Sequence, residues 1–231
     1  MTEAGFSQLQ VSQVQSMIET APQKGLQPEA LTSKVYEGIA KRVGPDRIVQ
    51  ALERVTSRFE YGHKLAGELV QGKTQVRELG KTVASGVAAG LTHQDVEKIT
   101  ASLLSKSATV NQNDFYALTE ETMRTARDLS RQGVSSATTA KVVGYAVKSG
   151  FDAKEMQTMR GSFNKQGVHG NVESLAKSYG TAIEQGVRAQ DLENRSRNGR
   201  RTGDGMNSAG GTASNNESSA GSDGSGNSGG S

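Results

Sequence analysis

The chain has 231 residues, 27 Lys plus Arg against 24 Asp plus Glu, a net charge of +3, a pI near 9.1 and no cysteine. The missing thiols exclude disulfide frameworks, thiolate nucleophiles and Cys-ligated metal centres, and no apolar run approaches the length of a membrane span. With 33% apolar residues, five Phe, five Tyr and no Trp, a core has to be built from Leu, Val, Ile, Ala and Met.

The opening MTEAGFSQLQVSQVQ lacks the basic and apolar regions of a secretory signal. As written the chain reads as cytoplasmic, or as periplasmic or secreted where a leader has been removed. The three prolines all precede Asp46, and the long proline-free remainder suits helices. At Lys24–Leu31 stands KGLQPEAL, the first of a series of turns. Its glycine closes one helix in the left-handed conformation, which the lack of a Cβ permits, and Pro28 falls at the first position of the next helix, where its missing N–H is not needed. Leu31, Val35, Ile39 and Val43 then mark a helical stripe, with Gly44 as the following turn glycine. Ile48, Leu52, Val55 and Phe59 recur at steps of four, three and four and predict one long helix from Arg47 to about Gln71. Another helix is predicted from Thr74, with Gly86 inside it.

The stretch Gly25–Val55, GLQPEALTSKVYEGIAKRVGPDRIVQALERV, resembles a group of uncharacterised, usually exported, all-helical bacterial proteins. These carry segments of the form G-L-x4-L-x2-K-V-x-E-G-[IL]-A-K, matched here by Leu31, Lys34, Val35, Glu37, Gly38, Ile39, Ala40 and Lys41. The resemblance implies an all-helical fold and export, and no activity.

The turn form returns as AGLTHQDV (Ala89–Val96), SGFDAKEM (Ser149–Met156) and QGVRAQDL (Gln185–Leu192), with QGVSSATT (Gln132–Thr139) as a degenerate copy. In the second copy Leu91 and Val96 predict a hydrophobic staple around the cap residue Thr92, with Asp95 completing a capping box; Phe151, Asp152, Glu155 and Met156 take the same places in the third. Between these turns Phe115, Leu118, Thr122, Ala126 and Leu129 form another stripe. Glycines recur six residues apart at 38 and 44, 80 and 86, 144 and 150, 161 and 167, and 180 and 186. The first of each pair falls within a helix, where glycine costs about 1 kcal/mol relative to alanine, so close approach of a neighbouring helix is expected there. No period-two pattern is present. The expected fold is all-α: short helices joined by Gly-apolar turns, as a helical-hairpin solenoid or a compact orthogonal bundle. The domain is read as residues 1–192, and the Gly/Ser/Asn-rich segment 193–231 as a disordered tail.

No catalytic, cofactor or metal residue is assigned. His63, His93 and His169 stand far apart, and His93 belongs to a helix start. Glu120, Glu121 and Asp114 read as a solvated helix face that has the chemistry to hold a cation. SGVAAGL (Ser85–Leu91) follows a helical stretch rather than a strand and carries no GK[ST], which argues against a phosphate loop. Ala88–Lys106 has the outline of half a helix-turn-helix, with Thr92, His93 and Gln94 at the reading end but only Lys98 as a nearby cation. The first reading of function is therefore a non-enzymatic helical-repeat protein with protein partners or a structural role. Nucleic-acid binding through helix N-termini and the basic arm Arg195, Arg197, Arg200 and Arg201 is the alternative, and an enzyme with a site between helices is the third.

Overall fold

The computed structural model describes residues 4–168 and 170–192; the tail predicted from residue 193, its arginine cluster and His169 lie outside the described residues. The described residues are all-α, without a strand. The helices are α1 (Gln8–Thr20), α2 (Pro28–Ala40), α3 (Pro45–Leu69), α4 (Lys73–Ala88), α5 (His93–Leu104), α6 (Gln112–Arg131), α7 (Ser136–Lys148), α8 (Ala153–Gly167) and α9 (Val172–Glu184). Short 3₁₀ turns at Ala21–Lys24 and Ala189–Asp191 precede α2 and follow α9.

Five turns share one hydrogen-bond pattern. Gly25, Gly90, Gly133, Gly150 and Gly186 have φ of 73°, 112°, 95°, 75° and 85°. The N–H of the apolar residue after each one donates to the carbonyl five residues back, as in Leu91 to Gly86 at 3.1 Å and Phe151 to Ala146 at 3.0 Å. This closes the last helical turn and folds the apolar side chain onto it. Leu26, Leu91, Val134 and Phe151 are buried as a result. Pro28 opens α2 as predicted, and Asp152 and Glu155 complete a reciprocal capping box on α8. The helix α1 was not placed by the sequence patterns; Ser7 and Gln10 cap it reciprocally.

Two predicted turn glycines behave differently. Gly44 has φ −61° and ψ 147° and caps α3, while Arg42 takes the left-handed conformation at φ 56°. The cause is Pro45, whose ring excludes the helical region for the residue before it. Gly44 must be extended, so the closing position falls two residues earlier, with Val43 N–H donating to Gly38 O at 2.9 Å. Val43 is then past the end of α2 and 38% exposed rather than on its stripe. Gly167 is the last residue of α8 without a left-handed φ; a Cβ there would come 2.5 Å from Gln132 Oε1.

Alternate helices pack side by side. α4, α6 and α8 form one layer and α5, α7 and α9 the other, with α3 laid against α4. The buried apolar side chains gather in two clusters. One runs from Leu65 to Leu192; the other joins α1, α2 and the first half of α3 through Val14, Leu31, Val35 and Leu52. The 25-residue α3 carries side chains of both. Of the glycines predicted to sit at helix crossings, Gly80 meets backbone, that of His63, and Gly38 meets the Ile48 side chain. Gly144 and Gly180 have ordinary contact distances and Gly161 has open space, so no close approach explains those three.

Candidate functional site

The residues singled out for chemistry are held in structural contacts. His93 begins α5 as predicted, and its ring stacks on Tyr61 at 3.8 Å between centroids. His63 lies where α3 crosses α4, close to the turn glycine Gly25, and its buried Nδ1 has no hydrogen-bond partner among the described residues. The reading of Glu120 and Glu121 as a solvated face is corrected: both are half-buried in an ionic ladder on the α4–α6–α8 layer. Arg160 of α8 bridges Glu121 at 2.7 Å and Asp128 at 3.4 Å, and Arg124 pairs with Glu120 and Glu121. Asp114 exchanges hydrogen bonds with the cap residue Asn111. Among the described residues no group of three or more His, Asp or Glu is placed to hold a metal ion, and no helix is long and apolar enough to cross a membrane.

The N-termini of the α5–α7–α9 layer are locked to one another. Thr92 caps α5 through Asp95 N–H at 3.2 Å. The return bond expected from Asp95 to the Thr92 backbone is not made. Thr92 N–H donates instead to Ser136 Oγ of α7 at 2.9 Å, and the Ser136 hydroxyl donates to Asp95 at 2.6 Å. One step along, Glu173 of α9 accepts from the Ser135 N–H at 2.9 Å and from the hydroxyls of Ser135 and Thr138. Lys98, Ser136 and Thr92 hold the Asp95 carboxyl below its usual range. Thr138 and the Ser135 backbone hold that of Glu173 at about 2, from an ordinary 4.5.

A titration follows from this. The Glu173 carboxylate stabilises the fold fully above about pH 4.5, and that contribution is lost as pH falls toward 2. Glu173→Gln is expected to cost about 1–2 kcal/mol near neutral pH, a value reduced for solvent screening of a side chain that is 30% exposed. Urea unfolding at neutral and acid pH checks it: the gap between wild type and variant should shrink as the solution is acidified, and a gap independent of pH would refute the assignment.

The open surface of the same layer is different in character. Between α5 and α7 runs a groove of about 520 Å³, and between α7 and α9 one of about 300 Å³, with Lys141 and Tyr145 of α7 lining both. Ala101, Ala137, Ala140 and Gly144 line the first, with Lys98, Lys141 and Lys148 around it and no carboxylate among its lining residues. Lys177 stands at the second. Lys98 pairs with Asp95 at 2.8 Å and Lys177 with Glu173 at 3.4 Å. Among the described residues Lys141 and Lys148 have no carboxylate within ion-pair distance; Lys141 lies 5.4 Å above the Tyr145 ring. The thirteen residues of α7 include no Asp or Glu. This departs from the interspersed charges that characterise most of the chain, and the lysines seven residues apart in α7 were its signal in the sequence.

The arrangement presents unneutralised positive charge along a shallow, small-residue channel. Compared with protein-family models, curated proteins and solved structures, the chain matches none of them.

Proposed function

We propose that the protein is a non-enzymatic helical scaffold that docks a protein partner on its α5–α7–α9 face. The observation that carries this is the pair of grooves flanking Tyr145, rimmed by lysines of which Lys141 and Lys148 have no carboxylate within ion-pair distance among the described residues. Desolvating and neutralising such charges against a partner's carboxylates gives both steering and register. The recurrent turns and the stacking of alternate helices support reading the fold as an array of helical hairpins, an architecture that presents extended surfaces of this kind.

The geometry argues against docking of phosphates at the helix N-termini. Those of α5 and α9 carry Asp95 and Glu173, and the Thr92 and Ser135 N–H groups already have acceptors. A phosphate brought there would meet carboxylates. The ionisable side chains that converge on the opposite layer neutralise one another instead of facing a cavity alone, which gives the enzymatic reading no comparable support.

The test is site-specific photo-crosslinking in the producing cell, with a benzoyl-phenylalanine in place of Tyr145 and a control probe in place of the exposed Lys165 on α8. A discrete protein adduct is expected from the first position and not from the second.

A further inference from the structure

Resting on that reading, we infer that the occupant of the α5–α7 groove is an acidic amphipathic helix of the partner. The charge of the site selects against a basic or neutral segment: of the three lysines around the groove Lys98 is paired with Asp95, but Lys141 and Lys148 have no carboxylate within ion-pair distance among the described residues, and no carboxylate stands among the lining residues. Its floor selects the shape. Alanines and a glycine from two neighbouring helices leave a channel into which the ridge of a third helix fits, and small residues allow its backbone to come close. Gly144 deserves separate weight in this respect. Among the described residues a Cβ at Gly144 would meet only Ser102 Oγ, at an ordinary 3.6 Å, so their packing does not require glycine there. The floor is nonetheless kept at its lowest.

The spacing of the charges selects the register. Lys141 and Lys148 are seven residues apart on one helix, about 10 Å along its axis. A helix docked roughly parallel to α7 presents carboxylates with the same separation at positions i and i+7, the spacing by which helices in grooves are commonly anchored. The Glu173 and Asp95 carboxylates mark one end of the face, where they are held by Ser135, Thr138 and Ser136. The unneutralised positive surface begins beyond them, at Lys141.

The experiment uses the full chain and a fluorescein-labelled helical peptide with alanine on one face and glutamates seven apart on its flank, followed by fluorescence anisotropy. The expected result is binding that weakens with added salt, falls at least about tenfold in the double variant Lys141→Glu, Lys148→Glu, and changes less than about twofold in Lys165→Glu. Both α7 lysines are exposed, and circular dichroism verifies that the double variant keeps its helix content. A peptide of the same composition with its seven-residue spacing scrambled should bind at least about fivefold more weakly. Equal binding of the scrambled peptide would reduce the effect to bulk charge and overturn the inference. So would tighter binding of duplex DNA than of the peptide, or indifference to the double variant. Failure of the peptide together with a Tyr145 adduct in the cell would remove the acidic helix and leave the scaffold reading standing; failure of both would remove both.

Discussion

Replacing Gly62 with alanine should destabilise the protein by about 2–4 kcal/mol and lower its melting temperature by roughly 5–15 °C. At this point α3 crosses α4 with glycine against glycine. A Cβ on Gly62 would lie 2.4 Å from the Gly80 carbonyl oxygen and 3.2 Å from the Ala84 nitrogen, and one on Gly80 would lie 3.1 Å from His63 Cα. These are backbone atoms, so no side-chain rotation relieves the overlap. The helices have to separate, which loosens the packing of Leu65, Ala66, Leu79 and Val83 around the crossing. Alanine gains about 1 kcal/mol of helix propensity over glycine, and the overlap has to exceed that for the variant to lose stability. Gly161→Ala is the internal control: among the described residues nothing lies within 4 Å of its added Cβ, so the propensity gain should appear alone. Thermal and urea unfolding followed by circular dichroism measure both. Equal behaviour of the two variants would show that α3 and α4 are not in contact at this crossing.

Phe151→Ala should cost about 3–5 kcal/mol, the range for removing a fully packed phenylalanine. Phe151 is 2% exposed, and it joins three parts of the structure. Its N–H completes the turn that ends α7, by donating to Ala146 O at 3.0 Å. Its ring packs in the larger core cluster with Met156 of α8. The Arg188 guanidinium lies 4.9 Å above that ring, donates to the Ser149 carbonyl at 2.9 Å and pairs with Glu155. Loss of the ring opens a cavity, removes the surface on which Arg188 rests and weakens the joint between α7, α8 and the turn after α9. Denaturant unfolding should show a large fall in midpoint. A loss below about 1 kcal/mol would mean that the side chain is not packed as described.

Both effects show which part of the fold is local in the sequence. The turns were legible because their determinants are neighbours: a glycine, the apolar residue after it and the next helix cap lie within a few residues, and five of them have the expected left-handed glycine. Gly44 escaped because Pro45 imposes a stronger constraint than the turn pattern. The crossing of α3 and α4 was half legible. Gly80 stood out by its spacing, but its partner Gly62 is eighteen residues away and belongs to no regular series. The spacing also pointed to Gly161, where nothing approaches.

The candidate face was the least legible. Glu173 and Ser135 are 38 residues apart and Ser136 and Asp95 are 41 apart, so their bonds depend on how the helices stack. What the sequence did contain was the charge of α7, two lysines turned to solvent and no acid in a helix whose other face is buried. It gains meaning only when α5 and α9 are placed on either side.

The most direct measurement of the central claim is the photo-crosslink from position 145. A discrete partner adduct that forms at this position, is absent from position 165 and disappears when Lys141 and Lys148 are both changed to Glu is the predicted result. Adducts that form equally at position 165, or that persist in the charge-reversed variant, would contradict a docking role for the α5–α7–α9 face.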